Sequence, residues 1–315
     1  MRRLISIAIG LFLTLWLIWW LDVDLETVKK VKRLDLIALA TLIGIFLIQG
    51  IATIRMKMLL SIIKCTGELK TLLVIEFINK FIYTVAPGRL NVPAKAFLLK
   101  KLCGTGLKNG ISLSTFEYAL DAYLVVLIGS VGGMLLFGGF TEIRYFLLLM
   151  LALTLGLFLM PPATFDHLSI MSHRIRSAFV RSVFDKAIAT LKTLRATWAA
   201  LLVDPRFFTV AFYTILLWGV RVVTIKLLFL SVGLSIPFSW IFVVTALSLF
   251  IGGITGIPGG LGAKEASMVF LYGLLGVPTD LSVIVAIANR LIVLPVIIIG
   301  YVLTLQLGLS FQKET

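Results

Sequence analysis

Charge is scarce in this sequence. Of its 315 residues, 14% are Asp, Glu, Lys or Arg, against 60% apolar. A soluble domain carries about 25% charged residues. A water-soluble globular protein is excluded on that ground. No stretch is long and polar enough to form a separate soluble domain. Histidine and cysteine are scarce too, with two of each. His167 and His173 have no ligand-like spacing around them, so no metal is expected. Cys65 and Cys103 fall in segments assigned below to the cytoplasmic side, where a structural disulfide is not expected. There is no phosphate-cradling glycine loop, no His/Cys cluster and no acid-rich metal motif. The chain therefore reads as a non-enzyme, with no catalytic residue, cofactor or metal. One enzymatic reading stays open, a transmembrane lipid-modifying enzyme acting through Glu117 and Asp121.

What is present is apolar sequence. Runs of about 20 apolar residues, the length that crosses hydrocarbon, recur along the chain. Leu4–Leu21 follows Met1-Arg-Arg in the manner of a signal peptide. However, Trp16, Trp19 and Trp20 stand where small residues would mark cleavage, so an uncleaved span ending in an aromatic belt is expected. Further spans read at Leu36–Ile54, Ile111–Phe137, Tyr145–Met160, Phe207–Val232 and Leu281–Leu307. The net charge of +14 comes from basic residues that flank these spans. That pattern sets topology and attracts anionic lipid; it offers no face for nucleic acid. With the basic loops in the cytoplasm, both termini lie there, and the protein is a multi-pass protein of the cell membrane. The segment Ala163–Arg206 has seven basic and three acidic residues. Its apolar positions recur at helical spacing, so it reads either as an amphipathic helix on the leaflet or as one packed on its own bundle.

Two stretches organise the rest. APGRLNVPAKAFLL (Ala86–Leu99) and IPGGLGAKEASMVF (Ile257–Phe270) each follow an apolar run and turn on Pro-Gly. Proline ends a helix and glycine permits the turn. The arms on either side of Pro87-Gly88 are at or below the roughly 17 residues needed to cross. They read as a re-entrant hairpin, entering from the cytoplasm. The hairpin at Pro258-Gly259-Gly260 enters from outside. Paired, Gly/Pro-interrupted segments of opposite orientation point to a transport site between inverted repeats. The expected fold is all-α: a polytopic membrane helical bundle with inverted repeats and two re-entrant hairpins. It is one integral domain over 1–315, with repeat one at 36–137, the amphipathic cytoplasmic segment at 163–206 and repeat two at 207–307.

Each returning helix starts with unpaired N–H groups and partial positive charge, a natural anion site. Irregular backbone at that depth implies a polar cavity. The expected substrate-binding residues are Pro87, Gly88, Arg89, Lys95, Glu117, Asp121, Pro258, Gly259, Gly260, Lys264, Glu265 and Arg290. Glu117 and Asp121 share a helix face and need cations from elsewhere, with Arg290 or Arg89 as candidates. Glu76 and Lys80, four apart, either pair with each other or face the cavity. Arg221 lies near the middle of its span, and Lys226 is placed to snorkel to the interface.

PGRLNVPAKAFLL resembles the "PGRLGEPLRAYLL" stretch of flippase-like membrane proteins related to the transmembrane region of lysylphosphatidylglycerol synthase. PGGLGAKEA resembles their "PGGLGVxEA" stretch, FEYALD their ER-x-x-D segment, and Arg290 their arginine after the second turn. The likeness covers nearly the whole chain. Departures fall at Asn91-Val92 for Gly-Glu, at Lys95 for Arg, and at Tyr118 for the arginine after the acid. The resemblance implies movement of a lipid headgroup, anionic or modified, between leaflets. The synthase relatives add an aminoacyl-transfer domain, and this chain ends at Thr315, so lysyl transfer is not expected. The expected partner is a membrane lipid. The alternative is a non-transporting subunit that presents lipid to a partner glycosyl- or acyltransferase; a solute transporter comes third.

Overall fold

The computed structural model describes residues 34–86, 90–137 and 198–308, with Tyr145, Leu148 and Ala152 besides. The first expected span, most of the 163–206 segment and the turn residues Pro87, Gly88 and Arg89 lie outside the described residues. Among the described residues all regular structure is helical.

The first half holds α1 (Leu34–Ile62), α2 (Leu69–Val85), α3 (Asn91–Cys103) and α4 (Leu107–Phe137). Helix α1 runs past the expected end at Ile54. Arg55, read as a loop residue, sits inside it and is 3% exposed. Pro93 falls in the first turn of α3, where its missing N–H costs nothing. That helix closes on Gly104, whose φ of 68° lets its N–H reach the Leu99 and Lys100 carbonyls.

The second half holds α5 (Phe207–Ser231), α6 (Phe238–Ile254), a tight turn at Pro258–Gly260, α7 (Ala263–Leu274), α8 (Thr279–Leu291) and α9 (Leu294–Gln306). The last expected span is thus interrupted at Ile292–Val293. Pro295, near the start of α9, has no N–H to continue the ladder of α8. The entry to α5 is fixed at the water boundary by Asp204, which accepts from the Arg206 backbone N–H at 2.9 Å. The Arg206 guanidinium and this N–H hold the Asp204 carboxyl down to about 2. Arg206 also donates to the Ser61 carbonyl at 2.9 Å, joining the Lys64 N–H on that acceptor in the last turn of α1.

Among the described residues four stretches are long and apolar enough to cross a membrane: Leu39–Ile62, Leu107–Phe137, Phe207–Ser231 and Thr279–Gln306. Helices α2, α3, α6 and α7 have 17, 13, 17 and 12 residues and are shorter than these.

Helices in lipid associate through close packing rather than hydrophobic burial, so small residues mark the contacts. Gly44 of α1 meets Thr224 of α5, and Arg55 reaches Thr214 at 3.3 Å. Those two contacts make α1 and α5 antiparallel. Gly129 of α4 faces Leu247 and Gly132 faces Val243, so α4 and α6 are antiparallel too. Gly300 of α9 lies against the backbone of Phe77 in α2, and the Phe81 and Tyr301 rings meet at 5.4 Å. Each half therefore lays its first short helix on the closing helix of the other: α2 on α9 and α6 on α4. The core follows the same plan. One apolar cluster is centred on each half, around Leu72 and Leu99 with Val210 of the second half joining it, and around Phe229 and Tyr272 with Phe137 of the first half joining it. A third joins them through Phe77, Trp218, Ala246 and Val296. Large apolar side chains such as Ile43, Leu47, Phe212, Ile215, Ile298 and Leu305 are exposed on the outer faces, as suits a surface against hydrocarbon.

Candidate functional site

Between the two halves lies a cavity of about 370 Å³, lined by residues of every helix from α1 to α8. That volume falls within the usual range of ligand sites, roughly 300–1,000 Å³. Ile254, at the end of α6, lines the cavity and is also 67% exposed, so the cavity reaches the outer surface beside an apolar rim.

One wall is a closed ion network. Helix α4 sets Glu117 and Asp121 one turn apart on a single face. Arg55 crosses from α1 to both, with Nη2 at 2.7 Å from Glu117 Oε1 and Nη1 at 2.7 Å from Asp121 Oδ1. The other Glu117 oxygen takes Lys95 Nζ at 2.5 Å, and Lys95 reaches Glu76 Oε1 at 2.5 Å. Lys95 is 1% exposed and Glu117 is 3% exposed. Burial of an isolated charge costs several kcal/mol, so these groups stay ionised only as an ensemble. Three carboxylates thus face two cations. A neutral cluster continues the wall. Asn79 donates to the Tyr118 hydroxyl oxygen at 3.0 Å, and Asn91 donates to it as well. Arg55 and Lys95 supply the cations for Glu117, and Arg55 that for Asp121, while the candidate Arg290 pairs with Glu265 and the candidate Arg89 lies outside the described residues. The local pairing of Glu76 with Lys80 is replaced by Glu76–Lys95. Two side chains that depart from the family's stretches, Asn91 and Tyr118, prove to be hydrogen-bonded neighbours.

A second group of lining residues is cationic. Lys80 of α2, Arg221 of α5 and Lys264 of α7 line the cavity. Among the described residues none of the three has a carboxylate within ion-pairing distance. The Arg221 guanidinium lies over the Trp218 ring at 4.6 Å, and Lys80 Nζ is 5.4 Å from the centre of the Tyr83 ring. Lys80 feels the like charge of Arg221, Lys264 and Arg290; Asp121 attracts Arg221 at longer range.

Arg290 has a different task. It bonds Glu265 at 3.0 Å, and its two Nη groups donate to the Gly259 carbonyl at 3.3 Å. Glu265 in turn accepts from the Gly262 N–H at 2.9 Å, capping α7. The pair braces the Pro258–Gly260 turn, which is buried. Gly259 and Gly260 have φ of 58° and 64°, a region other residues enter only with strain. A Cβ at Gly259 would lie 3.4 Å from Thr84 Cα, so the turn sits against the end of α2, just ahead of Pro87. Lys226, expected to snorkel, leaves its helix to donate to the Ile236 carbonyl at 2.5 Å and to Ser235 at 3.1 Å in the following turn.

Of the expected site residues, Lys95, Glu117, Asp121 and Lys264 line the cavity. Pro258, Gly259, Gly260, Glu265 and Arg290 form the braced turn beside it. Sequence reasoning missed Arg55. Its signal is the apolar pattern, which continues through Met56, Leu59, Leu60 and Ile62 and makes Arg55 an interior residue of one long helix.

A family model described as the lysylphosphatidylglycerol synthase TM region matches residues 4–300. The chain belongs to that family. A UPF0104 membrane protein of Pyrococcus horikoshii is 22% identical over 312 residues, covering 93% of each chain. One from Methanothermobacter thermautotrophicus is 21% identical over 259 residues, 76% of this chain and 74% of its own. No solved structure matches the chain.

Proposed function

Starting from that family membership, we propose that the protein is a lipid transporter that carries a phosphate-bearing headgroup between leaflets through the central cavity. The observation that carries the reading is the cavity itself, walled by both halves and furnished with cations that lack carboxylate partners among the described residues. A charged group left without a partner inside a membrane protein marks a substrate path by default. The headgroup phosphate lies against Lys80, Arg221 and Lys264, with the two helix starts after the turns adding positive charge. The acyl chains stay in the hydrocarbon and pass the apolar rim at Ile254.

In this reading α1–α4 and α5–α9 are inverted repeats, and α2/α3 and α6/α7 are re-entrant hairpins. Three observations support it: the antiparallel contact of α1 with α5, the reciprocal packing of α2 on α9 and α6 on α4, and the shortness of the paired arms. Rocking of one repeat against the other switches the side from which the cavity is reached. Lys95, held by two carboxylates, frames the cavity instead of contacting phosphate.

The test is reconstitution into vesicles that carry labelled phospholipids of several headgroups. The labelled lipid redistributes faster with the protein present than in empty vesicles. Unchanged distribution for every headgroup contradicts transport and leaves lipid presentation to a partner enzyme as the reading.

A further inference from the structure

The walls of the cavity are not electrically balanced. Five cations and three carboxylates line it, leaving two positive charges in surplus among the described residues. The ion network holds all three carboxylates against Arg55 and Lys95, so the positive surplus falls on Lys80, Arg221 and Lys264, with Asp121 attracting Arg221 from a distance.

The ligand that answers this surplus is a compact group with two negative charges. We infer that the cavity is built for a dianionic phosphate, the phosphomonoester or diphosphate of a lipid, in preference to a phosphodiester headgroup. A phosphodiester such as phosphatidylglycerol brings one negative charge; phosphatidylcholine brings no net charge; a lysyl-modified lipid brings a net positive charge that the surplus repels. The inference rests on the transport reading only for the source of the phosphate. The apolar rim at Ile254 favours a lipid over a soluble ester, because acyl chains need an apolar exit.

Native mass spectrometry of the purified full chain tests this directly. At about pH 7 a monoester carries roughly 1.5–2 negative charges. The probes are phosphatidic acid, phosphatidylglycerol, phosphatidylcholine and the soluble ester glycerol 3-phosphate. Phosphatidic acid binds at least roughly tenfold more tightly than phosphatidylglycerol, the effect of one added charge in a half-dry site. That margin collapses in Lys80→Gln/Lys264→Gln and persists in Lys100→Gln, which changes a lysine outside the cavity. Equal binding of the two lipids, preference for phosphatidylcholine, no binding at all, or a margin untouched by the double substitution overturns the inference. Glycerol 3-phosphate competing as well as phosphatidic acid keeps the dianion site and removes the lipid. Selective binding without any redistribution in vesicles keeps the inference and removes transport.

Discussion

The two walls of the cavity carry similar side chains in opposite circumstances. On the first, Arg55 and Lys95 are locked between Glu76, Glu117 and Asp121, at distances of 2.5–2.7 Å. On the second, Lys80, Arg221 and Lys264 line the same space with no such partners among the described residues. Membrane burial makes both arrangements expensive, but in different ways. The first is a lattice in which every charge has an oppositely charged partner within 2.7 Å, so its loss is felt as instability. The second is a set of like charges without carboxylate partners among the described residues; in the proposed reading a bound anion relieves their repulsion, and their loss is felt as function. The lesson is that a charged residue within a span does not by itself mark a substrate contact; its partners decide.

Substitutions sharpen or break that contrast. The largest effect is expected at Arg55→Ala, which strands Glu117 and Asp121. Removing one member of a buried network costs about 3–5 kcal/mol, and thermal denaturation in detergent checks it. Combining it with Glu117→Gln and Asp121→Asn recovers part of the loss. Recovery of none would show that Arg55 acts through packing instead of charge. Arg290→Ala follows. It removes the charge-assisted bonds to Glu265 and Gly259, with a cost of about 1.5–3 kcal/mol, and protease cleavage near the turn rises. Gly259→Ala is smaller, about 1–2 kcal/mol, because a Cβ must enter the left-handed region; the same denaturation reads it. Lys264→Gln costs no stability, because it relieves repulsion among like charges in the cavity, yet transport falls. A destabilised Lys264→Gln would place this lysine in the structural group and erase the contrast.

Much of the site is legible in the amino-acid sequence alone. The Pro-Gly turns, the acidic pair on α4, the lysine after the second turn and Arg290 all stand out as polar or helix-breaking residues in apolar surroundings. Pairing does not. The rule for residues four apart suggests Glu76 with Lys80, a contact worth only about 0.2–0.5 kcal/mol on a helix. The fold instead gives Glu76 to Lys95, which joins two carboxylates from different helices. Such choices are set by which helices touch, and sequence spacing carries no record of that. Arg55 is hidden for a second reason. It follows 19 residues without a charge, Leu36 to Ile54, enough for a complete span, so the pattern allows the chain to leave the membrane there. The interruption before Pro295 is written in the sequence, since proline cannot continue the ladder of a helix it enters.

The most direct test of the two-wall account compares lipid redistribution in vesicles holding equal amounts of folded wild type and Lys264→Gln. The account predicts rapid redistribution with wild type and a rate near that of empty vesicles with the variant, at matched thermal stability. Equal rates for the two proteins would contradict it.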